Sequence, residues 1–140
     1  MTQANAEREG ALGDRLSQAL AEALDWSWDG RFQTALAEFT VDQQGEILEI
    51  LERFLPQSWD ADSLADAPDA TRSIARRLGG VMPGQQLLVS DPSAGPVLFC
   101  AWWPWGNGHR VSIRIGLARS DEEAASANVG TGTLKTWFGV

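Results

Sequence analysis

The segment from Pro96 to Leu117, PVLFCAWWPWGNGHRVSIRIGL, constrains the fold more than any other part of the chain. Asn107-Gly108 sits between two runs rich in β-branched and aromatic residues, the strongest local signal for a β-hairpin. With those two residues at the turn, Trp105 faces Arg110, Trp103 faces Ser112, Trp102 faces Ile113, Cys100 faces Ile115 and Leu98 faces Leu117. Side chains alternate across a strand, so the hairpin presents two different faces. Leu98, Cys100, Trp102, Val111, Ile113, Ile115 and Leu117 form a core face. Val97, Phe99, Ala101, Trp103 and Trp105, with Arg110, Ser112, Arg114 and Gly116, form the other.

On that second face Trp105 lies opposite Arg110, and Trp103 is diagonal to Arg110 and Arg114, so cation–π contacts are expected. Phe99 falls over Gly116, filling the space the glycine leaves. Pro104 has no N–H, and a two-residue turn would ask it to donate to Val111. A four-residue loop, Gly106 to His109, keeps the same pairing and is favoured; an odd loop length would exchange the faces.

Helices precede the hairpin. Leu12, Leu16, Leu20 and Leu24 make one apolar stripe and predict a helix over about 4–24, with the first ten residues frayed. Asp25-Trp26-Ser27-Trp28-Asp29-Gly30 interrupts it, and Ser27 or Asp29 can cap a second helix with Phe32, Ala35, Leu36 and Phe39 on its inner side. Thr40 with Gln43 makes a capping box for a third helix, whose face is Ile47, Leu48, Leu51, Phe54 and Leu55 and which Pro56 ends. Glu49 and Arg53 have the favourable i,i+4 order.

Residues 56–68 read as a loop. Asp60, Asp62 and Asp66 open like a calcium-binding loop, but Leu64, Ala65 and Thr71 stand where an oxygen ligand, the sharp-turn glycine and the bidentate Glu belong. Asp66 or Asp69 is better read as the cap of a fourth helix over 68–78, with Ile74 and Leu78 inward and Gly79-Gly80 as its stop. Pro83-Gly84 signals a turn and Gln85 to Ser90 a strand. After the hairpin, Ser120 to Glu123 is a second capping box for a short helix to about Asn128; residues 133–138 read as an edge strand or a docked tail carrying Trp137.

The expected architecture is therefore one α+β domain over residues 1–140. Three or four N-terminal helices lie on one face of a three- or four-stranded antiparallel meander, and a short C-terminal helix follows.

No chemical motif is present: no phosphate-binding G-x-x-x-x-G-K-[ST], no G-x-S-x-G elbow, no dinucleotide G-x-G-x-x-G after a strand. Cys100 and His109 occur once each, which excludes His/Cys zinc sites and disulfides within the chain. They also lie at opposite ends of the hairpin, about 20 Å apart at ~3.3 Å per residue, too far for a dyad. No cofactor or metal is expected.

The net charge of −8 disfavours nucleic acid, and no apolar run approaches the roughly 18 residues of a membrane span. An N-terminus without an apolar core and a lone cysteine suggest a cytoplasmic protein. The charge is uneven: residues 1–69 carry −11 and residues 70–140 carry +3. Helix-surface acids account for this, but such a molecule can also orient a partner or form a homodimer.

The expectation for function is a non-catalytic domain that docks another protein, as an adaptor, assembly factor or chaperone-like protein. Phe99, Trp103, Trp105, Arg110 and Arg114 are the docking residues if that face is exposed; otherwise a helix or the tail with Trp137 covers it as a second core layer. Arg72, Arg76 and Arg77 form a basic cluster that either suits the C-terminal helix dipole or binds an anion or acidic partner. Alternatives are an immunity-type inhibitor of a basic enzyme and a small enzyme or ligand binder with a Trp-lined pocket.

Overall fold

A computed structural model describes residues 15–20, 23–91, 97–118 and 131–140. The fold is α+β, built on one antiparallel six-stranded sheet of order β1-β2-β6-β5-β4-β3. Its strands are β1 (Trp26–Asp29), β2 (Thr34–Thr40), β3 (Gln57–Trp59), β4 (Gln86–Val89), β5 (Val97–Pro104) and β6 (Arg110–Ala118). The helices are α1 (residues 15–20), α2 (Gln44–Phe54), α3 (Asp69–Arg77) and α4 (Thr131–Phe138).

The hairpin pairs in the expected register, from Val97 opposite Ala118 to Pro104 opposite Val111. Its core face is buried in a cluster with Leu16, Leu20 and Leu24, with Ile47, Leu51 and Leu55, and with Leu134 and Phe138. Thus α1, α2 and α4 cover one side of the sheet. The expectation that all helices share that side is corrected by α3. Its Ile74, Ala75 and Leu78 pack on Leu87, Val89, Val97, Phe99, Ala101 and Ala118 on the opposite side. Strands β4 and β5 are apolar on both faces, so each face must be covered.

The predicted second helix is instead the β1–β2 hairpin, and the sheet has six strands where three or four were expected. Phe32, Ala35, Leu36 and Phe39 suit a helical stripe, but Ala35, Ala37 and Phe39 also alternate. In β2 they face Ile115, Ile113 and Val111 of β6 and are buried. Burial against a distant strand overrides a weak local preference. The connecting turn holds Gln33 at φ 55°, with its Nε2 donating to Gly30 O at 2.8 Å and Arg31 N–H donating to Asp29 Oδ1 at 3.0 Å. Ser27 and Asp29 are strand residues, not caps.

The third and fourth helices form where expected. Thr40 begins the turn into α2, preceded by a 3₁₀ turn over Val41–Gln43, but its side chain makes no capping bond; Val41 N–H donates to His109 O instead, tying the helix start to the hairpin loop. Pro68, not Asp66 or Asp69, occupies the cap position of α3. Gly79 and Gly80, at φ 85° and 98°, end it by donating to Arg76 O and Ala75 O. Positive φ is cheap only for glycine, which explains the pair.

The 56–68 loop contains the edge strand β3, antiparallel to β4, with Trp59 opposite Leu87. Three residues are too few to show a period, so this strand was hidden. Asp60 serves the following turn: its Oδ1 accepts from the N–H groups of Ser63 and Asp62, and hydrogen bonding to Ser63 above all holds its pKa below the ordinary carboxylate value. Residues 131–138 form a helix, not a strand, with Phe138 against Trp26 at 4.4 Å. The fraying expected over the first ten residues and the helix cap expected at Ser120 to Glu123 fall outside the described residues. Among the described residues no helix is long and apolar enough to cross a membrane.

Candidate functional site

The loop beside Pro104 decides how the aromatic face is presented. Trp105 N–H donates to Arg110 O at 2.8 Å, so Trp105 and Arg110 are a hydrogen-bonded pair. Such pairs alternate along an antiparallel ladder, which puts Pro104 and Val111 at a position where β6 asks for no N–H. The conflict over Pro104 therefore disappears without a change of register. The four-residue loop closes with Gly108 at φ 74° and His109 N–H donating to Asn107 Oδ1 at 2.8 Å.

Five residues were expected to share this face, and all five do, but in three environments. Phe99 is fully buried: Arg77 of α3 stacks on its ring at 5.3 Å, and Gly116 lies beneath it. Trp103 is half-buried in an interlocked group. Arg114 stacks over it at 4.3 Å and over Phe32 at 5.6 Å, while Phe32 meets Trp103 edge-on at 5.6 Å. Arg114 Nε is held by Asp29 Oδ2 at 2.6 Å, with side chains only 18% and 11% exposed. Trp105 is different. It is 39% exposed, its Nε1 donates to Ser112 Oγ at 2.7 Å, and Arg110 stacks over it at 5.5 Å.

The cover over Phe99 and Trp103 is thus α3 together with the β1–β2 turn. Of the two expected covers, a helix or the tail with Trp137, the helix is the one on this face; Trp137 packs against the core on the opposite side. Arg77 ties the two covering pieces to the sheet, donating to Phe32 O, Gln33 O and Leu117 O at 3.0, 3.4 and 3.2 Å. Burial lowers its pKa, but a guanidinium starts so high that it keeps its charge.

Toward Trp105, no described residue of β1 or β2 belongs to the cluster under α3, which reaches β6 only at Ala118. There a cleft of about 390 Å³ runs along Asp25, Ser27, Leu36, Glu38 and Arg110. Asp25 and Glu38 carry exposed carboxylates on it, with Glu38 3.9 Å from Arg110. Leu36 and Glu38 are hidden because residues 29–39 suit a helix, which scatters them around its axis, and Asp25 because 25–30 reads as a turn. Alternation of Leu36 and Glu38 with Ala35, Ala37 and Phe39 was the signal that could have found them.

The arginine cluster divides. Arg77 points into the fold, whereas Arg72 is ion-paired with Asp69 and Arg76 donates to Ser73 Oγ at 2.8 Å. Among the described residues no group of three or more His, Cys, Asp or Glu could hold a metal ion.

Cys100 is fully buried, and burial drives its thiol pKa far above the ordinary value. Only the thiolate is nucleophilic, so native protein should not react with an aromatic disulfide reagent at pH 8. Full reaction is expected once denaturant unfolds the chain. Stoichiometric labelling without unfolding would contradict this packing.

The chain matches no known family model, no curated protein sequence and no solved structure.

Proposed function

We propose that this protein is a non-catalytic binding domain, an adaptor, assembly factor or chaperone-like protein, that docks a partner protein on the open half of the second sheet face. The observation that carries this reading is Trp105, 39% exposed and stacked on Arg110 at the margin of a cleft whose described lining belongs to no helix. Trp and Arg dominate interface hot spots because each covers a large area at little entropic cost, and a cleft beside them supplies a socket. The docking set is Trp105, Arg110, Glu38 and Leu36, while Phe99, Trp103 and Arg114 support it from beneath.

The test is capture from the native cell with three baits: wild type, Trp105→Ala plus Arg110→Ala, and a surface control, Glu52→Gln. Loss of a partner with the double variant alone is expected. Identical recovery by all three baits would remove this face as the docking site. The double variant should lose only about 1–2 kcal/mol of stability, from an exposed cation–π pair worth about 0.5–1 kcal/mol and the Trp105 Nε1–Ser112 Oγ hydrogen bond worth about 1 kcal/mol.

A second reading rests on α2. Asp42, Glu46, Glu49 and Glu52 are all exposed along its start and outer side, and among the described residues an ion pair is made to Glu49 alone, by Arg53 at 3.3 Å. That surface suits an immunity-type inhibitor lying on a basic enzyme, since complementary charge steers encounter. The association rate with such an enzyme should then fall at least tenfold between 0.02 and 0.5 M salt, to an order of magnitude. A salt-independent rate would dismiss this reading and leave the first intact.

A further inference from the structure

A second recess lies on the far side of α3 and owes nothing to the open sheet face. Between the turn over 61–66 and α3 the chain leaves about 340 Å³, walled by Ala61, Leu64, Ala65, Ala75 and Gly80 and edged by Arg72 and Arg76. The opening exists because four of the five wall residues are small. The two arginines are one helical turn apart, so both emerge on the same side of α3.

Their hydrogen-bonding capacity is only partly used. Asp69 takes one terminal nitrogen of Arg72, while Arg72 Nε is shut off from solvent and has no hydrogen-bond partner. Arg76 gives one terminal nitrogen to Ser73 Oγ and is otherwise exposed. Of the carboxylates around the turn, Asp60 accepts from the N–H groups of Asp62 and Ser63, and Asp62 and Asp66 are exposed to solvent. Spare guanidinium donors thus stand over an apolar floor. A guanidinium fork matches a planar carboxylate, and apolar walls match a hydrocarbon body. A bare inorganic anion would use the fork and leave the walls wet.

We propose that this recess binds a small organic acid, its carboxylate held by Arg72 and Arg76 and its apolar body on Ala61, Leu64 and Ala75. Arg77, adjacent in sequence, takes no part because its terminal nitrogens point to the sheet side and donate to the carbonyls of Phe32, Gln33 and Leu117.

The test is a titration of the full ¹⁵N-labelled chain with benzoate, benzamide and inorganic phosphate at constant ionic strength, read by NMR. Benzoate should give saturable shifts at Arg72 Nε–H and at backbone amides of 61–65 and 72–80, with benzamide and phosphate at least tenfold weaker. Arg72→Gln plus Arg76→Gln should lose at least tenfold in benzoate affinity with the rest of the spectrum unchanged. Arg76→Gln alone, at an exposed residue, should lose about threefold and serves if the double variant does not fold. No saturable benzoate shift, equal response to phosphate (an adventitious anion only), or undiminished binding by Arg76→Gln would overturn the proposal.

Discussion

Gly116→Ala should destabilise the protein by about 3 kcal/mol, the upper part of the range for overpacking a core. A Cβ at this position overlaps the tip of the Phe99 ring, 2.7 and 2.9 Å from Cε2 and Cε1 and nearer still to Cζ. The ring has no room to retreat: Phe99 is fully buried, and Arg77 stacks on it at 5.3 Å while bound to three carbonyls. The backbone cannot yield cheaply either, since β6 is paired on both edges, with β2 and β5. The sign makes the test sharp. Ala in place of Gly ordinarily stabilises a strand by about 0.5–1 kcal/mol. Urea unfolding should show a lower midpoint with an unchanged slope, and a Tm roughly 10 °C lower. Phe99→Leu in the same chain should recover part of the loss, because Leu lacks the clashing ring atoms. A Gly116→Ala protein as stable as wild type would refute the packing of Phe99 over β6.

Asp29→Ala should cost about 2–3 kcal/mol, just below the range for stranding one partner of a fully buried ion pair. Asp29 has two tasks. Its Oδ2 holds Arg114 Nε at 2.6 Å, and its Oδ1 accepts Arg31 N–H and shapes the β1–β2 turn. Without it the Arg114 charge stays largely enclosed by Trp103 and Phe32 with no counter-charge. Arg114→Met should also destabilise. A double-mutant cycle with Asp29→Ala is expected to give a coupling of at least about 1 kcal/mol. The same cycle on Glu49 and Arg53, 71% and 66% exposed, should give no more than about 0.5 kcal/mol. Equal couplings for the two pairs would mean that Asp29 and Arg114 are not enclosed. Tryptophan emission should shift to the red in Asp29→Ala, as the turn loosens and Trp103 meets water.

The candidate site was legible wherever it depended on neighbours within one hairpin. Asn107-Gly108 set the turn, the turn set the register, and the register put Trp105 on Arg110 and Trp103 beside Arg114. The parity of the loop leaves no freedom once the pairing begins. Phe99 over Gly116 followed from the same rule. Exposure did not. Whether Phe99, Trp103 or Trp105 reaches solvent depends on Arg77, Phe32 and Asp29, which lie 40 to 85 positions from their partners Leu117, Gln33, Phe32 and Arg114. Nothing local announces such contacts.

The 29–39 segment shows the same division. Phe32, Ala35, Leu36 and Phe39 fit a helix on spacing alone, and only β6, some eighty residues on, makes Ala35, Ala37 and Phe39 a strand face. Had that segment been a helix, the cleft along Leu36 and Glu38 would not exist. The basic cluster was one feature in the sequence and became two in space, because Arg77 turns toward the sheet while Arg72 and Arg76 edge a recess.

The amino-acid sequence by itself determined an α+β chain, the helices α2 and α3, and the register and two faces of the β5–β6 hairpin, since each rests on periodicity, a turn type or a cap among near neighbours. Tertiary structure alone decided that β1, β2 and β3 extend the sheet to six strands, that α3 takes the side opposite the other helices, and that Trp105 stays open while Phe99 is sealed. Those outcomes are free-energy comparisons between distant surfaces competing for burial, and a local pattern does not contain them.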